Sequence, residues 1–503
     1  MRNWSSICPK MSFDSIPAAV QTGKSDFAAG CITITDEQEE SINRFRKGMT
    51  YGPREDGFHA EGCSVPPKDG NAPDNEKEGL QMRIFHADLV YSGGRDQLIS
   101  RRSCYIAVEN GTVEGIYGEL PEKYSGVPLT DYGSSVILPA FSDLHVHAPQ
   151  YPQRGLGMDL LLKDWLDTYT FPQEARYADP EYAAAVYEAF LRSLIDNGTF
   201  HACVFGTIHR EATSYLLERM ESLKLRSFVG KVNMDIQSPD FLRETTEDSL
   251  HGTEAFLEQY SANRYAKPVI TPRFAPACSF ALLKGLGRLG RKYHAGMQTH
   301  LVESRWESSE AVRLNPACSC DTEIYEKAGL LENGPVIAAH FIFPSEKDIR
   351  ILKKYGGFAV QCPDATVNVT AGIMRTAFLA DVGVRLALGS DIAGGHLPAI
   401  YTQAARSVQL SKLKAFYEPD GNRPIPFAHA FYMATKEGGA LFGNVGSLEP
   451  GYEFDALVIR DFSELFRKLE PEESVERFCY TGGPGDILAR YIRGESVTAG
   501  RSG

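Results

Sequence analysis

Val136-Ile137-Leu138-Pro139-Ala140-Phe141-Ser142-Asp143-Leu144-His145-Val146-His147 is the stretch on which the fold turns. It opens as a short apolar run, as a buried strand does, and ends in a polar cluster. Its last three residues set two imidazoles at i and i+2. On a strand such residues point to the same side, so both rings can reach one ion.

Outward from this strand, β and α patterns alternate to about residue 415. Asp179-Pro180 opens a helix, with Asp at the N-cap and Pro in the first turn. Ala183, Val186, Tyr187, Phe190, Leu191 and Leu194 follow the i, i+3, i+4 spacing, and Gly198 closes the helix. Strands are predicted over 199–206, 226–234, 268–274, 297–302, 335–341, 358–362 and 384–388, with helical stretches between them. About eight β/α repeats predict an α/β protein built on a closed (β/α)8 TIM-like barrel. The alternative, an open doubly wound sheet, usually carries a Gly-rich phosphate loop after its first strand, and none follows here. Short β-rich segments before 135 and after 445 predict one small β domain composed from both ends of the chain. The expected division is therefore 82–135 and 445–503 for that domain and 136–444 for the barrel.

Residues 1–81 have a different texture, rich in Gly, Pro, Ser, Asp and Glu and without sustained periodicity. Met82-Arg83-Ile84-Phe85-His86-Ala87-Asp88-Leu89-Val90-Tyr91 then starts a strand pattern. The folded enzyme is expected to begin at Met82, with 1–81 a disordered or dispensable extension. His59-Ala60-Glu61 matches the H-x-E of zinc nucleobase deaminases, but the two cysteines of Pro316-Ala317-Cys318-Ser319-Cys320 have the wrong spacing for the partner motif. Cys318 and Cys320 are read as incidental.

The chain has 503 residues, 52 Lys+Arg against 65 Asp+Glu, and a net charge of −13. That balance argues against a binder of nucleic-acid polymers or anionic membranes. No run of 18 or more apolar residues and no N-terminal apolar signal core are present. The 10 Cys are scattered, which fits a reduced, cytoplasmic compartment.

Four strand ends carry metal-capable residues: His145 with His147, His300, His340, and Asp391 after Gly389-Ser390. Each alone is weak. A lone strand-end His is more often a hydrogen-bonded core or surface residue, and Asp after Gly-Ser is usually a cap or turn former. Their joint occurrence on strands one, five, six and eight is the signal.

At these residues the sequence resembles the metal-dependent amidohydrolase superfamily, and within it the guanine deaminases. The resemblance runs from about residue 82 to the C-terminus. It rests on Pro139–His147, His300, His340 and Asp391. It is strengthened by His147-Ala148-Pro149-Gln150-Tyr151, Trp165–Pro172, Phe228–Asp235, Thr271-Pro272-Arg273-Phe274 and Gly389–Gly395. It implies one Zn2+ held by His145, His147, His300 and Asp391, with His340 beside the reacting water rather than a firm ligand. Asp391 can take that water's proton, and Glu303, three residues after His300, can carry a proton to the ring nitrogen of the substrate. The resemblance further implies that Arg273 bonds a purine carbonyl, Phe274 packs on the ring and Gln150 reads another edge. Read without it, Arg273 is a surface salt bridge, Phe274 a core residue and Gln150 a loop amide. The implied reaction is hydrolysis of guanine to xanthine and ammonia, at a C–N bond of a cyclic amidine, in purine catabolism. The implied partners are the small-molecule substrate and a second copy in a homodimer.

The segment Gln361-Cys362-Pro363-Asp364-Ala365-Thr366-Val367-Asn368-Val369 departs from the usual polar Ser/Asn pattern of these enzymes, and Phe341-Ile342-Phe343 is more apolar than usual. A substrate such as a pterin, a triazine or a related purine is the alternative. A catalytically silent barrel serving as a scaffold is the third reading. Glu303 and Asp391 beside the histidines speak against it.

Overall fold

In the computed structural model the described residues are 82–464 and 467–497. The expected dispensability of residues 1–81 and the His59 motif lie outside them.

In chain order the strands are β1 Met82–Gly94, β2 Gln97–Glu109, β3 Thr112–Tyr117, β4 Leu129–Pro139, β5 Phe141–His147, β6 Thr199–Phe205, β7 Arg226–Gly230, β8 Val232–Asn233, β9 Ala266–Pro268, β10 Thr271–Pro272, β11 Met297–Leu301, β12 Val336–His340, β13 Phe358–Gln361, β14 Arg385–Leu388, β15 Ala456–Ile459, β16 Ile487–Ile492 and β17 Glu495–Ser496. They form two bodies of β structure, joined where β4 passes through Ala140 into β5.

The first is a seven-stranded sheet in the order β17-β16-β15-β4-β1-β2-β3, drawn from both ends of the described chain. Phe85, Leu89, Ile106, Ile137, Phe454 and Val458 fill its core. Val136–Pro139 pair with Ile459–Ala456 in this sheet. The expected boundary at 136 therefore falls inside β4, and the barrel's first strand starts at Phe141. An apolar strand is claimed by whichever edge is open to it, and the one-residue step at Ala140 separates the two.

The second body is the α/β barrel. Two parallel four-stranded sheets, β5-β6-β7-β9 and β11-β12-β13-β14, face each other. They meet through a few hydrogen bonds rather than long ladders: at one seam Gln298 N–H donates to Ile270 O at 3.0 Å and His300 N–H to Arg273 O at 3.1 Å, and at the other Asp391 N–H donates to His145 O at 2.8 Å and His147 N–H to Ile392 O at 3.2 Å. The strands are buried on both faces, as a ring wrapped in helices requires. Cys203, Ile337, Phe358, Val360 and Ala387 pack inside, while their neighbours Ala202, Val204, Ala338, Ala359 and Leu386 pack against the helices. That alternation is the period of two of a pleated strand.

The helix Pro180–Asp196 illustrates why the outer layer holds. Asp179 caps it, its carboxylate accepting from the N–H groups of Glu181 and Tyr182. Tyr187, Phe190, Leu191 and Leu194 are buried, each worth roughly 1.5–3 kcal/mol of burial. Gly198 follows at φ 72°, a conformation that costs glycine nothing. Among the described residues no helix is long and apolar enough to cross a membrane.

Candidate metal centre and active site

The polar residues gather at the ends of the barrel strands, where each strand turns toward its helix. Those turns are tight. Val302 (φ 54°), His340 (φ 71°) and Asp391 (φ 46°) all lie in the left-handed region. That region costs a non-glycine residue of order 1–3 kcal/mol and is kept only where surrounding bonds enforce it. Here Asp391 N–H is tied to His145 O, and Phe341 N–H to Leu301 O at 3.0 Å.

His145 and His147 project from β5, His300 from β11, His340 from β12, and Asp391 from just beyond β14. The donor atoms of His145, His147, His300 and Asp391 lie within 4.8 Å of one another. Nε2 of His145 and of His147 are 3.1 and 3.5 Å from Asp391 Oδ1, and Nε2 of His147 and His300 are 3.1 Å apart. Ligand bonds of about 2.0–2.1 Å around a tetrahedral ion put ligand atoms about 3.3 Å from each other. The spacing therefore fits an ion. So does the protonation. His300 Nδ1 donates to Arg273 O at 2.7 Å, which leaves Nε2 with its lone pair free for a metal, the usual arrangement of a liganding histidine. Both ring nitrogens of His145 and Nδ1 of His147 are buried without a hydrogen-bond partner. Burial, reinforced by the neighbouring imidazoles, drives the pKa values of His147 and His300 well down. Neutral rings are what a metal binds.

His340 is set back. Its Nε2 is 3.7 Å from both Glu303 Oε1 and Asp391 Oδ2, and burial lowers its pKa to about 4 against the pull of Asp391. It belongs to a second, overlapping group with His145, Cys362 and Asp391. Glu303 is raised to about 8, by burial first and then by the Asp391 carboxylate, with Arg273 opposing. It therefore holds a proton at neutral pH.

A cavity of about 550 Å³ opens onto this cluster. His147, Gln150, Arg273, Phe274, His300, Glu303, His340 and Asp391 all line it. His145 lies beneath, fully buried. Trp306 is near Phe274, with ring centroids 6.5 Å apart. Val369, the last residue of the departing Gln361–Val369 segment, and the two residues after it also line the wall.

Arg273 is no surface salt bridge. It is buried, and its Nη1 and Nη2 bond Glu174 at 2.6 and 3.1 Å. Nor is Gln150 a free loop amide: it bonds Glu174 and the backbone of Ala393. Phe274 is partly buried beside Phe205 and Met234. Cys318 and Cys320 are buried thiols away from this cavity.

Several residues of the site were not singled out in the sequence. Asp143 shares strand parity with His145 and His147, and that parity was the available signal. It accepts from Ser390 N–H at 3.0 Å and from the Ser390 hydroxyl, and burial raises its pKa to about 7. Glu307 accepts the N–H of Glu303 at 2.7 Å and so fixes the backbone that carries it. The capping pattern Ser304-x-x-Glu307 was its signal. Glu174 carries none, whereas Cys362 stands in the Cys-Pro start of the segment 361–369.

The model of the amidohydrolase family matches residues 136–495. A guanine deaminase of Dictyostelium discoideum is 33% identical over 377 residues, covering 73% of this chain and 83% of that protein. One of Escherichia coli K12 is 30% identical over 411 residues, covering 78% and 90%. The crystal structure of a guanine deaminase from C. acetobutylicum, with guanine bound in its active site, superposes with a TM-score of 0.81 at 37% identity, covering 83% of this chain and 100% of that one.

Proposed function

This chain belongs to the amidohydrolase family and, within it, to the guanine deaminases, and from that premise we propose that the cavity at the barrel's strand ends is where guanine loses its amine. The enzyme is a hydrolase acting on a C–N bond of a cyclic amidine. Guanine and water give xanthine and ammonia.

His145, His147, His300 and Asp391 would hold the ion. Three imidazoles and one carboxylate suit zinc, whose borderline character accepts both nitrogen and oxygen. When bound, the ion would supply the Lewis acidity that makes hydroxide available from water near pH 7. The protein's own groups do the rest. Asp391 accepts the proton the water gives up. Glu303, holding its proton at neutral pH, gives it to the ring nitrogen beside the amine-bearing carbon, which makes that carbon electrophilic. His340, a neutral ring between Glu303 and Asp391, hydrogen-bonds the incoming oxygen as charge develops on it. The amine then takes a proton and leaves as ammonia. Arg273 and Gln150 hold the heterocycle's polar edge, and Phe274 covers its face.

The observation that carries this assignment of roles is the cluster of four ligand-type side chains at the cavity floor with the buried Glu303 beside it. The described cysteines are all free thiols, which supports a cytoplasmic setting. Ammonia release from guanine by the purified protein tests the reading. Guanine should turn over faster than a pterin or a triazine. Negligible guanine turnover beside rapid turnover of either would overturn it and give weight to the altered loop at Gln361–Val369.

A further inference from the structure

Glu174 does not itself line the cavity, yet it joins two side chains that do and that are expected to hold the substrate. It sits in the short helix Phe171–Ala175 and is buried. Its Oε1 and Oε2 accept Nη2 and Nη1 of Arg273 at 3.1 and 2.6 Å. Its Oε1 also accepts Nε2 of Gln150 at 2.9 Å. On the other side, Gln150 Oε1 accepts the N–H of Ala393 at 3.0 Å, two residues beyond Asp391.

Two consequences follow from donor and acceptor counting. An ionised carboxylate only accepts, and a backbone N–H only donates. The Gln150 amide is therefore pinned from both sides: its NH2 faces Glu174 and its oxygen faces Ala393. The hydrogens left over on Gln150 and Arg273 are all donors. The guanidinium charge, meanwhile, is already matched by a bidentate carboxylate. An unmatched buried arginine would call for an anion. A matched one suits a neutral ligand that offers acceptors.

We propose that Glu174 is a positioning residue that sets substrate specificity: by holding Arg273 and Gln150 as a neutral edge that offers N–H donors, it selects heterocycles with an oxo group there and rejects those with an amino group. This rests on the reading that the cavity takes guanine. A ligand with an amine at that position would set N–H against N–H and leave buried donors unpaired.

The test compares guanine with 2,6-diaminopurine, which has an amine in place of the oxo group. In the unaltered enzyme kcat/KM should favour guanine by at least about a hundredfold, as sites built around a substrate's polar group do. Glu174→Gln supplies an amide that both donates and accepts, so it removes one of the two pins on Gln150 and the carboxylate that holds Arg273, and their N–H groups are no longer fixed toward the cavity. The preference should fall by roughly tenfold or more, with KM for guanine rising and kcat changing far less. A Glu174→Gln enzyme that loses activity on both compounds alike, or keeps the preference, overturns the proposal and leaves Glu174 a structural residue. Thermal melting and metal content check that the variant is folded. If it is not, inhibition of the unaltered enzyme decides. Hypoxanthine should compete at least roughly tenfold better than adenine, and equal inhibition overturns the proposal. No ammonia from guanine in the unaltered enzyme would sink the functional reading and this inference together, whereas guanine turnover with an unmoved preference sinks the inference alone.

Discussion

In the proposed reaction Glu303 is the side chain on which the proton traffic turns, and its surroundings fit that role. A carboxyl in water would be ionised at pH 7. Burial and the neighbouring Asp391 push this one up to about 8, so it can donate and then take back a proton. Glu307 holds its backbone at 2.7 Å, which keeps it aimed at the cavity. Glu303→Gln keeps the shape and the hydrogen-bonding capacity but removes the acid. Turnover of guanine should fall by about 10²–10⁴. Metal content should not change, since Glu303 is outside the group of His145, His147, His300 and Asp391. Steady-state rates with metal analysis on the same sample check this, and full activity would exclude the proton role. At this scale the sequence was legible where chemistry is local. Parity on a strand put His145 and His147 together, and the strand-end positions of His300, His340 and Asp391 followed from the barrel. Glu174 was not legible, because its partner Arg273 is 99 residues away, and no local pattern reports a pairing between a short helix and a distant strand end.

The elements hold through joints that hydrophobic patterning does not report. His201 of β6 bonds Asp455, just before β15, at 2.9 Å, and Asp455 also accepts the Arg493 N–H at 2.7 Å. Ser142 of β5 bonds the other ring nitrogen of His201 at 3.0 Å. This buried cluster ties the barrel to the seven-stranded sheet. Asp455→Ala should cost about 3–5 kcal/mol, because it strands buried partners, while kcat/KM per folded molecule stays near normal, since Asp455 does not line the cavity. Denaturant unfolding measures the first and guanine assays the second. His429, in the helix Phe427–Tyr432, bears on pH. Burial lowers its pKa to about 4; Asp96 and Asp381 pull it up, and Arg95 and Arg423 push it further down. An unfolded histidine titrates near 6.5. Between those values the unfolded chain binds the extra proton, so stability is full above pH 6.5 and is lost as pH falls toward 4, by up to about 1.4 kcal/mol per unit. His429→Gln should flatten that acid limb in melting curves from pH 7 to 4.5, and an unchanged limb would assign the loss to other groups. The helices themselves were readable from capping and spacing, as Asp179 to Gly198 shows. The fourth barrel strand was not readable as built: it is split into β9 and β10, and a two-residue strand has too few residues to display a period.

At the scale of the molecule, both ends of the described chain meet in one sheet, and this decides what a minimal enzyme must contain. β1 is an interior strand, pairing antiparallel with β2 and parallel with β4. Its ladder begins at once, with Met82 opposite Glu109 and Ile84 opposite Leu129. The β-rich texture of both ends was legible in the sequence. The strand order was not, because β4 lies between β15 and β1 and such pairings are set by tertiary packing. The acidic balance, net −13, argues against polymeric anions as partners, and the arginine in the cavity, matched by Glu174, is consistent with a neutral base. The whole of the C. acetobutylicum enzyme is covered by 83% of this chain, which is close to the length that remains from Met82 onward. Truncation tolerance is governed by what the lost backbone was bonded to and buried against. A chain that starts at Met82 keeps every strand pairing described above, the cavity and all the ligand residues. It should therefore fold cooperatively, melt close to the full-length protein and deaminate guanine with kcat/KM within about twofold. Loss of folding would mean that residues 1–81 complete the sheet or the core, and loss of activity alone would mean that they reach the site. Melting and ammonia release, measured on the two chains side by side, separate the three outcomes.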